Sequence, residues 1–158
     1  MLLAAPGAES LEVLRQLADR LTWLAGPTAE LEAVGLAEWQ AEHGRLFVCG
    51  HPRTPCAPFE SAQRRGMMAG PDVEQLVVLY RRIGLQADAM PPDYLGTMLE
   101  CAAHLQGSID GSELKDELWR EHLLRWLPGY AKMLQDESRL DLYRQLGAQL
   151  AVACLDHG

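Results

Sequence analysis

Positive charge is scarce in this chain. Fourteen Lys and Arg stand against 22 Asp and Glu, a formal net charge of −8. Phosphate binding needs clustered Lys and Arg, so nucleic acid is a poor partner; charge steering favours a basic peptide instead. Long apolar runs are also missing. None approaches the ~20 residues that a bilayer-crossing helix requires, and direct membrane insertion is not expected. The N-terminal stretch MLLAAPGAESLE has neither a basic start nor a long apolar segment, so it does not read as a signal peptide and the protein is expected in the cytoplasm. Cysteine is sparse: Cys49, Cys56, Cys101 and Cys154 lie far apart, which points to free thiols rather than a disulfide framework. No strand-like alternation of useful length and no internal repeat is present. There is no G-x-S-x-G, no Gly-rich phosphate loop, no H-E-x-x-H and no nucleotide fingerprint, so nothing marks an enzyme.

What is present is helical periodicity. Hydrophobic residues make up 48% and charged residues 23% of 158, a globular balance. A chain of this length buries roughly 68–70% of its unfolded surface, enough for a core in one domain. The stretch 91–134 carries two apolar patterns at steps of three and four. Leu95, Met98, Leu99, Ala102 and Leu105 form the first; Trp119, Leu123, Trp126, Leu127, Tyr130, Met133 and Leu134 form the second. Both are amphipathic helix signatures, and the short link QGSIDGS makes them neighbours in a hairpin at the centre of the molecule. Pro128 lies inside the second and predicts a kink.

The rest is read as helices around that hairpin. One is expected over 9–25, ended by Gly26 and Pro27, and one over 28–43, weakened by Gly35 and stopped by Gly44. Residues 45–71 hold four prolines and three glycines and predict a long irregular loop, with a short helical turn near 61–68. Asp72 is placed to cap a third helix with Gln75 in a capping box, and Gly84 to end it. Asp93 is placed to cap the helix after Pro91 and Pro92, and Ser138 the last helix. The expectation is an all-α, single-domain bundle of about six helices over residues 1–158.

The order YRRIGL, PPDYLGTMLECAAHL, EHLLRWLPGYAKML and YRQLGAQLAVAC resembles the TorD/DmsD/NarJ family of redox-enzyme maturation chaperones. PCAPFES at 55–61 resembles the family's proline–aromatic–serine segment. The resemblance covers roughly residues 45–155. Tyr94 stands where the family often has histidine after Pro-Asp. The resemblance implies an all-helical, non-catalytic cytoplasmic protein that carries no cofactor of its own. It implies a partner: the catalytic subunit of a molybdopterin oxidoreductase of the dimethyl-sulfoxide-reductase type, bound through its N-terminal twin-arginine signal peptide until molybdenum cofactor is inserted, with premature export blocked. Monomer and homodimer both remain open.

A twin-arginine peptide has a basic start and an apolar middle, and so needs a groove with acidic and apolar walls. Asp93 and Glu100 are the candidates for its guanidinium groups. Tyr94, Leu95, Trp126 and Tyr130 are the candidates for the apolar wall, with His122 and Arg125 beside Trp126. The same residues have plainer roles open to them: a cap for Asp93, a solvated carboxylate for Glu100, core packing for Trp126, a hydrogen-bonded histidine at 122. Three rivals stand beside this reading, one of them an enzyme with Cys49 beside His51 as its nucleophile. A generic helical adaptor fits the composition equally well. A metal site would draw on Cys49, His51 and Cys56, or on the pairs Cys101–His104 and Cys154–His157.

Overall fold

Apolar residues at steps of three and four gather on one side of a helix, and burying that side drives the fold. The computed structural model describes residues 3–51, 53–87, 90–107 and 111–158. Among these, every regular element is helical: α1 (Ser10–Ala18), α2 (Ala25–Val34), α3 (Leu36–His43), α4 (Glu60–Arg65), α5 (Pro71–Arg82), α6 (Leu95–Gln106), α7 (Ser112–Glu117), α8 (Leu124–Glu137) and α9 (Asp141–His157). A 3-10 turn spans Thr22–Leu24, and wide π-helical turns span Gly44–Val48 and Leu118–Leu123. The chain is all-α. By its contacts it divides into two compact units, Met1–Ala57 with Gly129–Val152, and Pro58–Pro128 with Ala153–Gly158.

In the first unit, Leu14, Leu24, Leu31 and Leu46 are fully buried. Trp39 donates its indole N–H to the Tyr143 hydroxyl at 2.9 Å, and Phe47 meets the Tyr143 ring edge-on at 5.1 Å. Buried Glu42 accepts from Arg45 at 2.8 and 2.9 Å and from the Arg139 amide at 2.7 Å, which satisfies a carboxylate that would otherwise be costly to bury. Several sequence expectations change here. The helix expected over 9–25 ends at Ala18, and Gly26 and Pro27 sit in the first turn of α2, where proline's missing N–H costs nothing. Gly35, at φ +86°, breaks the helix expected over 28–43. Gly44 stays helical at φ −57° and opens the π turn instead of stopping α3; the Cys49 amide closes that turn on the Gly44 carbonyl at 2.9 Å. Ser138 turns its hydroxyl back to the Leu134 carbonyl and does not cap α9. Glu30 supplies the carboxylate for the first amide of that helix, Asp141 N–H, at 2.6 Å.

In the second unit, Leu76, Leu79 and Tyr80 of α5 are buried, as are Leu95, Met98 and Leu105 of α6 and Leu118 and Leu123 of the π turn. α6 packs against α7 and against that turn. Gly84 ends α5 as its position predicts: at φ +71° it lets the Leu85 amide reach the Tyr80 carbonyl at 2.9 Å and its own amide reach Arg81 at 3.1 Å, a Schellman closure. Asp72 is not a cap. Gly70 holds that position with Pro71 in the first turn, and the Asp72 carboxylate is drawn to two arginines. Helix runs without a break from Ser112 to Glu137 by way of the π turn. The Leu124 amide donates to Trp119, five residues back. The widened turn ends just before Leu124, whose carbonyl Pro128 leaves without its helical donor.

Candidate functional site

The loop before α4 and the loop before α6 meet as a short antiparallel pair in the second unit. Phe59 bridges Tyr94, the Glu60 amide donates to the Asp93 carbonyl at 3.0 Å, and the Leu95 amide donates to Pro58 at 2.9 Å. This pairing carries Asp93 to the start of α4. Its carboxylate accepts from the Ser61 amide at 3.1 Å and the Ser61 hydroxyl at 2.6 Å. Asp93 is a helix cap, but for α4 and not for its own helix, and at 2% exposure it does not present a free carboxylate to solvent.

Next to it lies a buried ionic knot. Glu60 has no exposed surface. One carboxylate oxygen takes Arg64 at 2.7 Å and the other lies 2.9 Å from His122 Nδ1. Arg64 also reaches Asp72 at 3.0 Å, and Arg65 reaches Asp72 at 2.5 and 3.3 Å. The hydrogen bond from Arg65 holds the Asp72 carboxyl below its usual range against the opposing effect of burial. His122 lies in the π turn Leu118–Leu123, and such turns are frequent at functional sites.

A cleft of about 260 Å³ opens between α5 and α6, lined by Tyr80, Leu85, Gln86, Ala87, Thr97, Glu100, Cys101 and His104. A second hollow of about 170 Å³ shares Tyr80 and the segment 85–87. Tyr80 is tied down by donating its hydroxyl to the Pro92 carbonyl at 2.7 Å, and burial pushes that hydroxyl well up. Burial also raises the Cys101 thiol to about 11. Glu100 is exposed on the wall. Burial, and then the charge of Glu100, raise the Tyr94 hydroxyl. The Tyr94 ring folds over Gly96, where a Cβ would stand 2.5 Å from a ring carbon, and packs 5.6 Å from Phe59.

The residues expected to form one groove are thus dispersed. Glu100 lines the cleft; Tyr94 is half-buried. Leu95, Trp126 and Tyr130 are packed inside their units and form no open apolar wall, because apolar side chains at helical spacing go first to the core. Tyr130 belongs to the first unit, where its hydroxyl donates to the Cys56 carbonyl at 3.2 Å. His122 is committed to Glu60. Arg125 is exposed and paired with Glu121 at 2.9 Å. Sequence reasoning missed Glu60, Ser61, Tyr80 and the role of Asp72. The segment PCAPFES at 55–61 contains Glu60 and Ser61, and the i, i+4 spacing of Glu60 and Arg64 was a further signal.

All four cysteines are free. Cys49 and His51 are exposed while Cys56 is buried. Among the described residues no group of three His, Cys, Asp or Glu side chains is placed to hold a metal ion. His157 stacks on Trp119 at 4.0 Å rather than facing a ligand partner.

A crystal structure named as that of a candidate redox enzyme maturation protein from Archaeoglobus fulgidus has the same fold, with a TM-score of 0.67 at 21% identity, over 96% of this chain and 86% of that one. The fold is therefore that of an all-helical class with a solved representative. The family model described as nitrate reductase delta subunit matches residues 3–132. This chain belongs to that family, the NarJ/TorD-type chaperones, which assist the maturation of redox enzymes and are not catalysts. The sequence matches no functionally curated protein at a significant level.

Proposed function

We propose that this chain is a system-specific cytoplasmic chaperone, working as one chaperone domain. Its partner is the catalytic subunit of a dimethyl-sulfoxide-reductase-type molybdenum enzyme before the cofactor is inserted. It holds that subunit by its N-terminal twin-arginine signal peptide, so that insertion precedes export. The observation that carries the reading is the family match over residues 3–132. Charge supports it: a net −8 chain steers a basic segment inward. The α5–α6 cleft supports it as well, since it sets the Glu100 carboxylate beside the apolar surfaces of Leu85, Ala87 and Tyr80, the pairing that a basic and apolar peptide needs. Among the described residues no helix is long and apolar enough to cross a membrane.

In this reading Glu100 receives an arginine of the peptide, and Tyr94 shapes the approach to it. Asp93, Ser61, Glu60 and His122 act behind the surface, by fixing α4, the connection into α6 and the π turn relative to one another. Glu100→Gln removes one exposed charge pair, worth up to roughly fivefold in affinity, and leaves the fold intact because the side chain is exposed. Titration calorimetry of a synthetic twin-arginine signal peptide against the parent and Glu100→Gln tests this. Equal affinities would remove Glu100 from the site.

A further inference from the structure

Two of the buried acids of the second unit, Glu60 and Asp72, are already bound to two consecutive arginines. Asp72 is 4% exposed and Glu60 not at all. Arg64 bridges both acids, at 2.7 and 3.0 Å, and Arg65 reaches both oxygens of Asp72. One carboxylate thus receives two neighbouring guanidinium groups. The cations themselves face outward, with side chains 29% and 41% exposed. The Arg65 stem crosses Gly70, where a Cβ would stand 3.3 Å from it. Gly66 then turns the chain out of α4 at φ +72°. Met67 and Met68 follow with 60% and 57% of their surface in solvent.

This arrangement differs from an ordinary surface ion pair, in which both charges are wet. Here the anions are buried and fixed while the cations cover them from the solvent side, so a cation can be exchanged without opening the core. The order Arg-Arg-Gly-Met-Met also sets paired guanidinium groups before exposed apolar side chains, the chemistry of the signal peptide proposed above. Flexible methionines adapt to varied apolar partners, and a guanidinium fits a carboxylate in two-pronged fashion where an ammonium does not.

We propose that Arg64–Met68 is an internal stand-in for the arginine pair of the client: it occupies Asp72 and Glu60 in the resting protein, and an incoming guanidinium displaces Arg65 from Asp72. This rests on the signal-peptide reading of the function. The segment raises the threshold for binding, so that a ligand with a guanidinium group and an apolar continuation competes with it.

The test is calorimetry on the full chain with two synthetic probes, a peptide carrying two consecutive arginines before an apolar segment and its lysine-pair counterpart. Arg65→Gln, at an exposed position, removes the competitor and is expected to tighten the arginine peptide by at least roughly fivefold, because a pair with a buried anion exceeds the upper range for an exposed one, with a smaller gain for the lysine peptide. Arg65→Gln combined with Asp72→Asn is expected to lose that gain, without leaving Asp72 as an unpaired buried charge. An affinity in Arg65→Gln equal to or below the parent's, in a variant that melts cooperatively, overturns the inference and leaves the signal-peptide reading standing. A gain retained in the double variant overturns it too. Absence of binding in parent and variant alike removes both.

Discussion

Replacing Asp93 by alanine separates a structural acid from a ligand-binding one. The carboxylate accepts two hydrogen bonds from Ser61, at 3.1 and 2.6 Å, and is 2% exposed. Hydrogen bonds to charged groups contribute about 1.5–3 kcal/mol each. Bonds that share one acceptor are not independent, so the expected loss is roughly 3–5 kcal/mol, a large part of the ~5–15 kcal/mol that holds a domain together. At roughly 2–4 °C per kcal/mol for a chain of this size, the melting temperature falls by about 10 °C. Asp93→Asn keeps one acceptor and loses less. Urea and thermal unfolding followed by circular dichroism measure both variants. A contact residue on the surface would shift stability by no more than ~0.5 kcal/mol. An Asp93→Ala protein that melts within ~2 °C of the parent while losing peptide affinity would therefore refute the assignment of this residue to the frame.

Three further outcomes follow from the same geometry. The hydrogen bond from Arg65 holds the Asp72 carboxyl below its usual range, so its contribution is complete above about pH 5 and fades as pH falls through the lowered value. The melting-temperature gap between the parent and Arg65→Gln should shrink from pH 6 to pH 3, and a gap independent of pH would contradict this. Burial raises the Cys56 thiol to about 12 and Cys101 to about 11, and raises Cys154 as well, whereas Cys49 is exposed. Thiolate is the reactive form, so alkylation of native protein at pH 8, read by mass spectrometry, should mark Cys49 well before the other three; equal labelling of two sites would count against the burial. A Cβ at Gly147 would lie 2.7 Å from the Ala131 carbonyl oxygen, so Gly147→Val should cost roughly 3 kcal/mol by overpacking α9 on α8, and an unchanged melting temperature would disprove that close approach.

The class of fold was legible because it depends on apolar spacing alone, and the spacing of Leu95, Met98 and Leu105, or of Leu76 and Tyr80, is helical whatever lies across from it. Gly84 was legible for a similar reason: the closure of α5 is local. The two π turns were not, because one extra residue in a turn leaves the apolar period nearly unchanged over a short window. The capping roles assigned to Asp72 and Ser138 failed where a stronger partner lay elsewhere, two arginines for the first and the Leu134 carbonyl for the second. Asp93 shows the limit most clearly. Its side chain does cap a helix, but one whose first turn lies 32 residues earlier, and no local pattern encodes that pairing. Glu100 was picked out from the sequence as an acid near apolar positions, and it lines the α5–α6 cleft. Trp126 and Tyr130 could not be told from core residues, since binding aromatics and buried aromatics share one spacing.

Under the proposed function this chain holds an immature molybdenum enzyme and releases the finished one. The direct measurement is retention of the host's molybdenum-enzyme catalytic subunit on the immobilised full chain, with the subunit prepared once without and once with its molybdenum cofactor. The cofactor-free subunit should be retained, the loaded subunit should pass through, and added twin-arginine peptide should elute the bound material. Equal retention of both forms, or of neither, would contradict that function.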